Sequence, residues 1–304
     1  MNNYLSEICS ILPELNDISH IKHLNTGYSD DHKYKVVTNL GLCYLLRLTD
    51  GGKASQKQIE LLALTELLRL GVNCSKPIAN GLTADEKYHY SLLSWIPGQD
   101  ASVALIGLEP ELQKSIGCDG GLDLRKMHLL PAPANTLPWN QLFKKKWYLN
   151  RDIYFQDSLR INQNSYILDF IEDHLTLISE RPSTFQHDDF HLDNIIVKDN
   201  CYAGTIDFNR SSYGDPWHDF AKMFFYSSQL SPSFCQGQLQ GYFDSQPVPV
   251  LFWEITSMYT AVLMINTVIW TKKASPLHLK QMLERINKVT QDYRSFSIYQ
   301  PLWY

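Results

Sequence analysis

Phe185-Gln186-His187-Asp188-Asp189-Phe190-His191-Leu192-Asp193-Asn194, followed by Ile206-Asp207-Phe208, is the stretch on which the reading of this sequence turns. An Asp and an Asn stand five residues apart, with a His two before the Asp. Ile195-Ile196-Val197 is a short apolar run directly after Asn194, Asp199-Asn200 is a turn signal, and residues 202–208 read as a second strand. The pattern predicts a hairpin. Such a hairpin brings Asn194 and Asp207 to one edge, where a single metal cluster could touch both.

Gly214-Asp215-Pro216-Trp217-His218-Asp219-Phe220-Ala221 follows. The order HxDxxxxN, then IDF, then GDPxxDxA resembles the aminoglycoside phosphotransferase family, a bacterial branch of the kinase fold. That branch also contains choline, homoserine and methylthioribose kinases and macrolide phosphotransferases. The motif block covers about 35 residues, with weaker matches along most of the chain. The resemblance implies an α+β, two-lobed protein-kinase-like fold with a small β-rich N-lobe and a larger helical C-lobe. It implies ATP or GTP as co-substrate, Mg2+ as cofactor and a small-molecule hydroxyl as acceptor. Phosphoryl transfer needs an acceptor held in line and cations that neutralise the phosphate oxygens. Asp189 is then the catalytic base, Asn194 and Asp207 hold the metal, and Asp219 braces the catalytic loop. Asp215-Pro216 reads as a plain turn. Asn209 stands where protein kinases have Gly, and Asn tolerates a left-handed backbone. His191 is expected to pack or hydrogen-bond locally. A metal-dependent phosphohydrolase is the competing reading, because His187, Asp188, Asp189, His191, Asp193, His218 and Asp219 could ligate two metals.

Upstream, a short amphipathic helix is expected up to about Asp17. Residues 24–37 read as strand, turn, strand, and residues 42–48 as a third strand after the Asn39-Leu40-Gly41 turn. Residues 57–70 have helical spacing, with Ile59, Leu62, Ala63, Leu67 and Leu70 on one face and Gly71 as the stop. Residues 78–81 and 88–95 supply two more strands. Domain bounds follow: a nucleotide-binding lobe over 1–95, a catalytic and substrate-binding lobe over 96–304, and a hinge near 94–98. In the larger lobe, helices are expected over 109–128, 135–150 and 163–181, and helical patterns dominate from Ser231 to Arg294.

The resemblance puts the phosphate loop at 25–31, where the backbone of Gly27, Tyr28 and Ser29 could face phosphates. Three glycines are usual in protein kinases; one is present here. No GxxxxGK[ST] pattern occurs, which argues against a P-loop enzyme. Arg47 stands where the family has its phosphate-binding Lys or Arg, and Glu60 is its expected partner. Ser94 and Ile96 are the hinge positions that could bond an adenine edge. For the acceptor, a cationic antibiotic of the aminoglycoside kind would call for acidic walls. Asp193, standing where the family commonly has Gly, and Glu254 are the candidate substrate residues. Asp157, Asp169, Glu172, Asp173, Asp244 and Asp292 are further carboxylates. Choline-, homoserine- or sugar-type metabolic kinases remain the alternative.

Composition sets the outer bounds. The 304 residues suffice for two lobes with full cores. Hydrophobic content of 44% and charged content of 19% are those of an ordinary globular protein. A net charge of −5 argues against a nucleic-acid partner. Cys9, Cys43, Cys74, Cys118, Cys201 and Cys235 form no CxxC pair and read as buried free thiols in the cytoplasm. The N-terminus carries no signal-peptide pattern. The apolar run 251–270 contains Glu254 and Asn266, so it reads as a buried helix and no membrane partner is expected. Oligomeric state is not legible.

Overall fold

The computed structural model describes residues 1–24 and 30–304, the side chain of Asn2 excepted. The chain divides into two compact units, Met1–Pro97 and Gly98–Tyr304. The fold class is mixed α+β, with an antiparallel sheet in the first unit and mostly helices in the second.

In the first unit, helix α1 (Asn2–Ile11) precedes strands β1 (Ile18–Leu24), β2 (His32–Thr38) and β3 (Cys43–Asp50). Helix α2 (Ala54–Arg69) and strands β4 (Pro77–Leu82) and β5 (Tyr88–Ser94) complete it. The sheet order is β1-β2-β3-β5-β4, with every neighbour antiparallel. Strand β2 alternates, burying Tyr34, Val36 and Thr38. Ile8, Leu12 and Leu15 pack with Tyr34, Val36, Leu46, Leu48, Tyr90 and Leu92 into one core.

Helix α2 forms where its spacing predicts, but it turns a different face inward. Lys57, Glu60, Leu61, Ala63, Leu64 and Leu67 are buried, whereas Ile59 and Leu62 are 59% and 58% exposed. The apolar pattern misled because two of the buried positions are charged: Glu60 bonds an arginine from β3, and Lys57 pairs with Glu60. The helix ends as expected. Gly71 has φ +76, its N–H donates to the Leu68 carbonyl, and the Val72 N–H donates to the Leu67 carbonyl. That is a Schellman closure, which a left-handed glycine permits.

The second unit begins with β6 (Gln99–Asp100), α3 (Ala101–Ala104), α4 (Pro110–Met127), α5 (Trp139–Gln156) and α6 (Asn164–His174). The short strands β7 (Thr184–Gln186), β8 (Ile195–Lys198), β9 (Cys201–Thr205) and β10 (Ser212–Gly214) come next. Helices α7 (Phe220–Phe225), α8 (Pro232–Tyr242), α9 (Val250–Ala274) and α10 (Leu279–Asp292) follow. β10 pairs with β7, and β6-β8-β9 form a three-stranded sheet. Helix α5 starts four residues later than the sequence suggested. Pro138 precedes its first turn, and the residue before a proline avoids helical backbone. Helix α9 is the one described helix long and apolar enough to cross a membrane, yet 78% of its apolar window is buried within the protein. It contributes Ile255, Met258, Tyr259 and Ile265 to the main core, with Trp147, Phe225 and Ile286. Of the six cysteines, only Cys74 and Cys235 are buried; Cys201 is exposed and the other three are intermediate.

Helices α4 and α8 approach through glycine. A Cβ on Gly117 would lie 2.1 Å from the Phe234 carbonyl oxygen, and one on Gly237 would lie 1.9 Å from that of Lys114. Gly121 and Gly241 make equivalent approaches to Gln238 and Cys118. Two GxxxG pairs therefore let the backbones touch. The contact register runs the same way along both helices, so their C-terminal ends arrive together. That brings His128, at the end of α4, to the Tyr242 hydroxyl of α8 at 2.8 Å.

Candidate active site

The catalytic-loop stretch begins where β7 ends. Its backbone is pinned by Asp219, which is fully buried. The Asp219 carboxylate accepts the N–H of His187 at 2.9 Å and that of Asp188 at 2.6 Å. His128 Nε2 lies 3.0 Å from the same carboxylate. The glycine-packed helix pair thus reaches the loop through one histidine. Asp188 carries φ +57, a strained value for a non-glycine residue, and the two backbone bonds to Asp219 hold it there. The His187 ring is fully used. Its Nδ1 accepts the Asp189 N–H, its Nε2 donates to the Ile206 carbonyl at 3.0 Å, and its face lies 4.6 Å from Phe208.

The predicted hairpin forms. Asp199 and Asn200 both have positive φ, the signature of a two-residue turn between β8 and β9. Ile195 stands opposite Thr205, and the Ile206 N–H donates to the Asn194 carbonyl at 2.9 Å. Asn194 and Asp207 are thereby neighbours across the hairpin mouth. Asn194 Nδ2 donates to the Asp189 carbonyl oxygen at 2.8 Å and lies 3.3 Å from Asp189 Oδ2. Its amide oxygen is left to point elsewhere. An amide oxygen and a carboxylate are hard donors that suit Mg2+, a cation that takes few protein ligands and completes its shell with water and phosphate. The left-handed residue is Asp207 itself, φ +62, and not Asn209, which lies in the 3-10 turn Phe208–Arg210.

Asp189 is one-fifth exposed and faces two cationic side chains and a histidine ring. Lys222 Nζ lies 3.0 Å from Oδ1, His191 Nε2 3.5 Å from Oδ1, and Arg210 Nε 3.8 Å from Oδ2. Burial by itself raises the Asp189 carboxyl, but His191, Lys222 and Arg210 outweigh it and hold the group far below the ordinary carboxylate range. His191 Nδ1 accepts the Asp193 N–H at 3.4 Å. It is therefore His191 that caps the turn before Asn194. Asp193 is 65% exposed, with Oδ2 3.5 Å from the same ring. Glu254 lies in the first turns of α9, and among the described residues its carboxylate makes no bond to the loop.

Other groups here were not legible beforehand. Asp188 sits 3.2 Å from His218 Nδ1, and the His218 ring is edge-packed by Trp139, Phe143 and Tyr259. Burial opposes ionisation of Asp188, yet His218, Lys146 and Lys222 hold its carboxyl below the usual range. Asp215 is no plain turn residue. It is fully buried, takes a two-pronged pair from Arg181 at 2.8 and 2.9 Å, caps the Trp217 N–H, and accepts the Tyr259 hydroxyl at 2.8 Å. The His and Asp residues of the hydrolase reading are thus paired with one another and with neighbouring backbone and cations. Among the described residues no three His, Cys, Asp or Glu side chains gather as a metal set.

In the first unit, Arg47 of β3 bonds Glu60 of α2. Two further residues join them. Lys57 Nζ lies 2.9 Å from Glu60 and 3.5 Å from Asp31, and Arg47 Nε lies 3.8 Å from Asp31. All four are less than one-tenth exposed. The Lys57 and Asp31 contributions went unread because one falls at the start of a helix and the other in a loop. Gly27, Tyr28 and Ser29 lie outside the described residues. At the hinge positions, the Ser94 N–H donates to the Lys76 carbonyl and its hydroxyl accepts the Lys76 N–H. The Ile96 N–H has no partner among the described residues.

The phosphotransferase enzyme family matches the chain over residues 20–252. No curated protein matches it by sequence. Among solved structures, the GDP complex of aminoglycoside 2'-phosphotransferase-IIIa is similar at 13% identity and TM-score 0.69, with 95% of this chain and 98% of that one covered. Aminoglycoside phosphotransferase APH(4)-Ia is similar at 12% identity and TM-score 0.66, covering 96% and 99%. Amicoumacin kinase hAmiN, in complex with AMP-PNP, Ca2+ and Ami, is similar at 13% identity and TM-score 0.65, covering 95% and 91%. At such identities these likenesses establish the kinase-like fold. With three-quarters of its length matched and its loop, hairpin and bracing aspartate in place, the chain belongs to the phosphotransferase enzyme family.

Proposed function

We propose that this protein transfers the γ-phosphate of ATP or GTP to a hydroxyl of a small molecule. The observation that carries the reading is the Asp189–Asn194–Asp207 arrangement. One carboxylate is held on a braced loop, and two residues that carry oxygen donors, Asn194 and Asp207, flank the mouth of the adjoining hairpin.

Asp189 orients the acceptor hydroxyl and takes its proton as the oxygen–phosphorus bond forms. Its low resting basicity suits an orienting group, with proton transfer late in the reaction. Asn194 Oδ1 and the Asp207 carboxylate would hold Mg2+, which when bound supplies charge neutralisation at the phosphate oxygens. Arg47, oriented by Glu60, is the proposed contact to the inner phosphates, with Gly27, Tyr28 and Ser29 supplying backbone N–H groups. Ile96 is the better of the two hinge candidates, since its N–H has no partner among the described residues. An enzyme that consumes ATP or GTP works where those nucleotides are kept, so the cytoplasm is its proposed compartment.

A cationic, aminoglycoside-like acceptor is one proposed class, supported by the similar structures that carry kanamycin or hygromycin B. Asp193 and Glu254 would be its contacts. A metabolic acceptor of the choline, homoserine or sugar type is the other. The test is nucleoside-diphosphate release from ATP and from GTP with Mg2+ across acceptors of both classes, beside Asp189→Ala. Acceptor-dependent release that disappears in the variant supports the reading; equal turnover in the variant sinks it.

A further inference from the structure

The geometry points to an acceptor that carries an acidic group, a carboxylate or a phosphate, together with the hydroxyl to be phosphorylated. This rests on the phosphotransferase reading and concerns the same site.

The catalytic carboxylate is already counterbalanced. Lys222, His191 and Arg210 all stand within 3.8 Å of Asp189. Lys222 is no loose surface side chain. It lies in α7, three residues after the aspartate that pins the loop, and is 13% exposed, with Nζ 5.4 Å from the Tyr226 ring. A polycationic acceptor would have to approach this group against like charge.

Arg285 of α10 is the second element. Its guanidinium carbon lies 5.0 Å from the Tyr226 ring, and Nη1 donates to the Tyr226 carbonyl at 3.3 Å. Tyr226 in turn lies 5.3 Å from the His191 ring. Among the described residues, Arg285 has no carboxylate at ion-pair distance. Burial lowers its pKa, against the opposing pull of Tyr226 and Asp193. A half-buried guanidinium with a carbonyl as its one hydrogen-bond partner among the described residues keeps N–H groups open to a ligand, and its fork matches a carboxylate or phosphate.

Asp193 stands exposed beside the loop and faces His191, while four of the more distant carboxylates are engaged elsewhere. Asp157 pairs with Lys272, Glu172 with Arg151 and the Trp147 N–H, and Asp244 with Arg125. Asp292 accepts from Gln229. Lys222 and Arg210 beside the reacting carboxylate, with Arg285 outside any ion pair among the described residues, favour an anion. Arg285 takes the acidic group, and Lys222 flanks the reacting hydroxyl.

The experiment uses charge-matched acceptors on the full chain with Mg2+ and ATP or GTP. Hydroxy carboxylic acids and sugar phosphates form two arms, and aminoglycosides with choline form the third. Wild type, Arg285→Gln and Arg285→Lys are compared, with thermal melting as a check on folding. The expected result is diphosphate release stimulated by one acidic arm. In Arg285→Gln, KM for that acceptor rises roughly 10- to 100-fold, the scale of a charge-assisted hydrogen bond. In that variant kcat and the nucleotide KM are little changed, and Arg285→Lys recovers part of the loss. Stimulation by the cationic arm with KM indifferent to Arg285 overturns the inference and leaves the phosphotransferase reading intact. Nucleotide binding without stimulation by either acidic arm also overturns it. An enzyme that binds no nucleotide overturns the phosphotransferase reading, and this inference with it.

Discussion

The two units each hold a charged cluster, and the clusters are built differently. In the first unit, Arg47 and Lys57 meet Asp31 and Glu60, two cations against two carboxylates, all more than nine-tenths buried. In the second unit, Asp189 meets Lys222, His191 and Arg210, with Asp193 also against the His191 ring, and the cluster is more open, with Arg210 48% exposed. A buried cluster must balance internally, because no water is present to screen a surplus. A cluster at a reactive surface can carry a surplus, because a ligand completes it. On the proposed reading the first cluster orients, and the second is completed by charge that the reactants bring.

The largest test breaks the second cluster at its centre. Asp189→Ala should lower turnover by about 10²- to 10⁴-fold, the range for loss of a positioned acid–base group, while nucleotide affinity measured by calorimetry stays close to wild type. Glu60→Ala breaks the first cluster and should act on stability. Two buried cations would be left with Asp31 alone, a loss of about 3–5 kcal/mol in denaturant unfolding by analogy with other broken buried pairs. Lys222→Met is the sharpening control. It should destabilise less than Glu60→Ala, because Asp189 keeps His191 and Arg210 beside it, while still reducing turnover. Equal destabilisation by Glu60→Ala and Lys222→Met would erase the distinction.

Gly237→Ala tests positioning apart from charge. Its Cβ would meet the Lys114 carbonyl at 1.9 Å, so the helix pair must separate, at a cost of about 1–3 kcal/mol. Any accompanying loss of turnover would report on the His128–Asp219 link. The smallest effect concerns His89 in β5, which is buried and whose pKa is lowered by burial, then by Arg47 and Lys57. A histidine with a depressed folded pKa favours the folded state above its unfolded value of about 6.5, and that contribution is lost as pH falls through the lower folded value. Stability should decline as pH falls from about 6.5 to that lower value, and His89→Gln should flatten the decline. Unchanged pH dependence in His89→Gln would show that the first cluster does not press on this ring.

Much of the site could be read from local spacing. The Asp189–Asn194 interval, the Asp199-Asn200 turn and Asp207 lie within one short segment, and a hairpin has few ways to close. The glycine stop at Gly71 was legible for the same reason. The α2 face was not. Reading Ile59 and Leu62 as the inner stripe follows from hydrophobicity, but Lys57 and Glu60 are inward because Arg47 arrives from another strand. Asp215 hid likewise, since a turn and a buried hub for Arg181 and Tyr259 share one sequence.

By itself the sequence determined the elements whose hydrogen bonds close within a few residues: the β8–β9 hairpin, the loop carrying Asp189, the capped helices, and with them the kind of chemistry the chain can host. Only the tertiary structure decided what stands around that chemistry. Lys222 and Arg285 lie 33 and 96 positions after Asp189. Nothing in their local sequence distinguishes them from solvated cations. Their approach depends on the packing of α7 and α10 around Tyr226, and on the glycine contact that seats His128 against Asp219. Local backbone rules act over single turns, whereas the field at a carboxylate sums over whatever the whole fold brings near it.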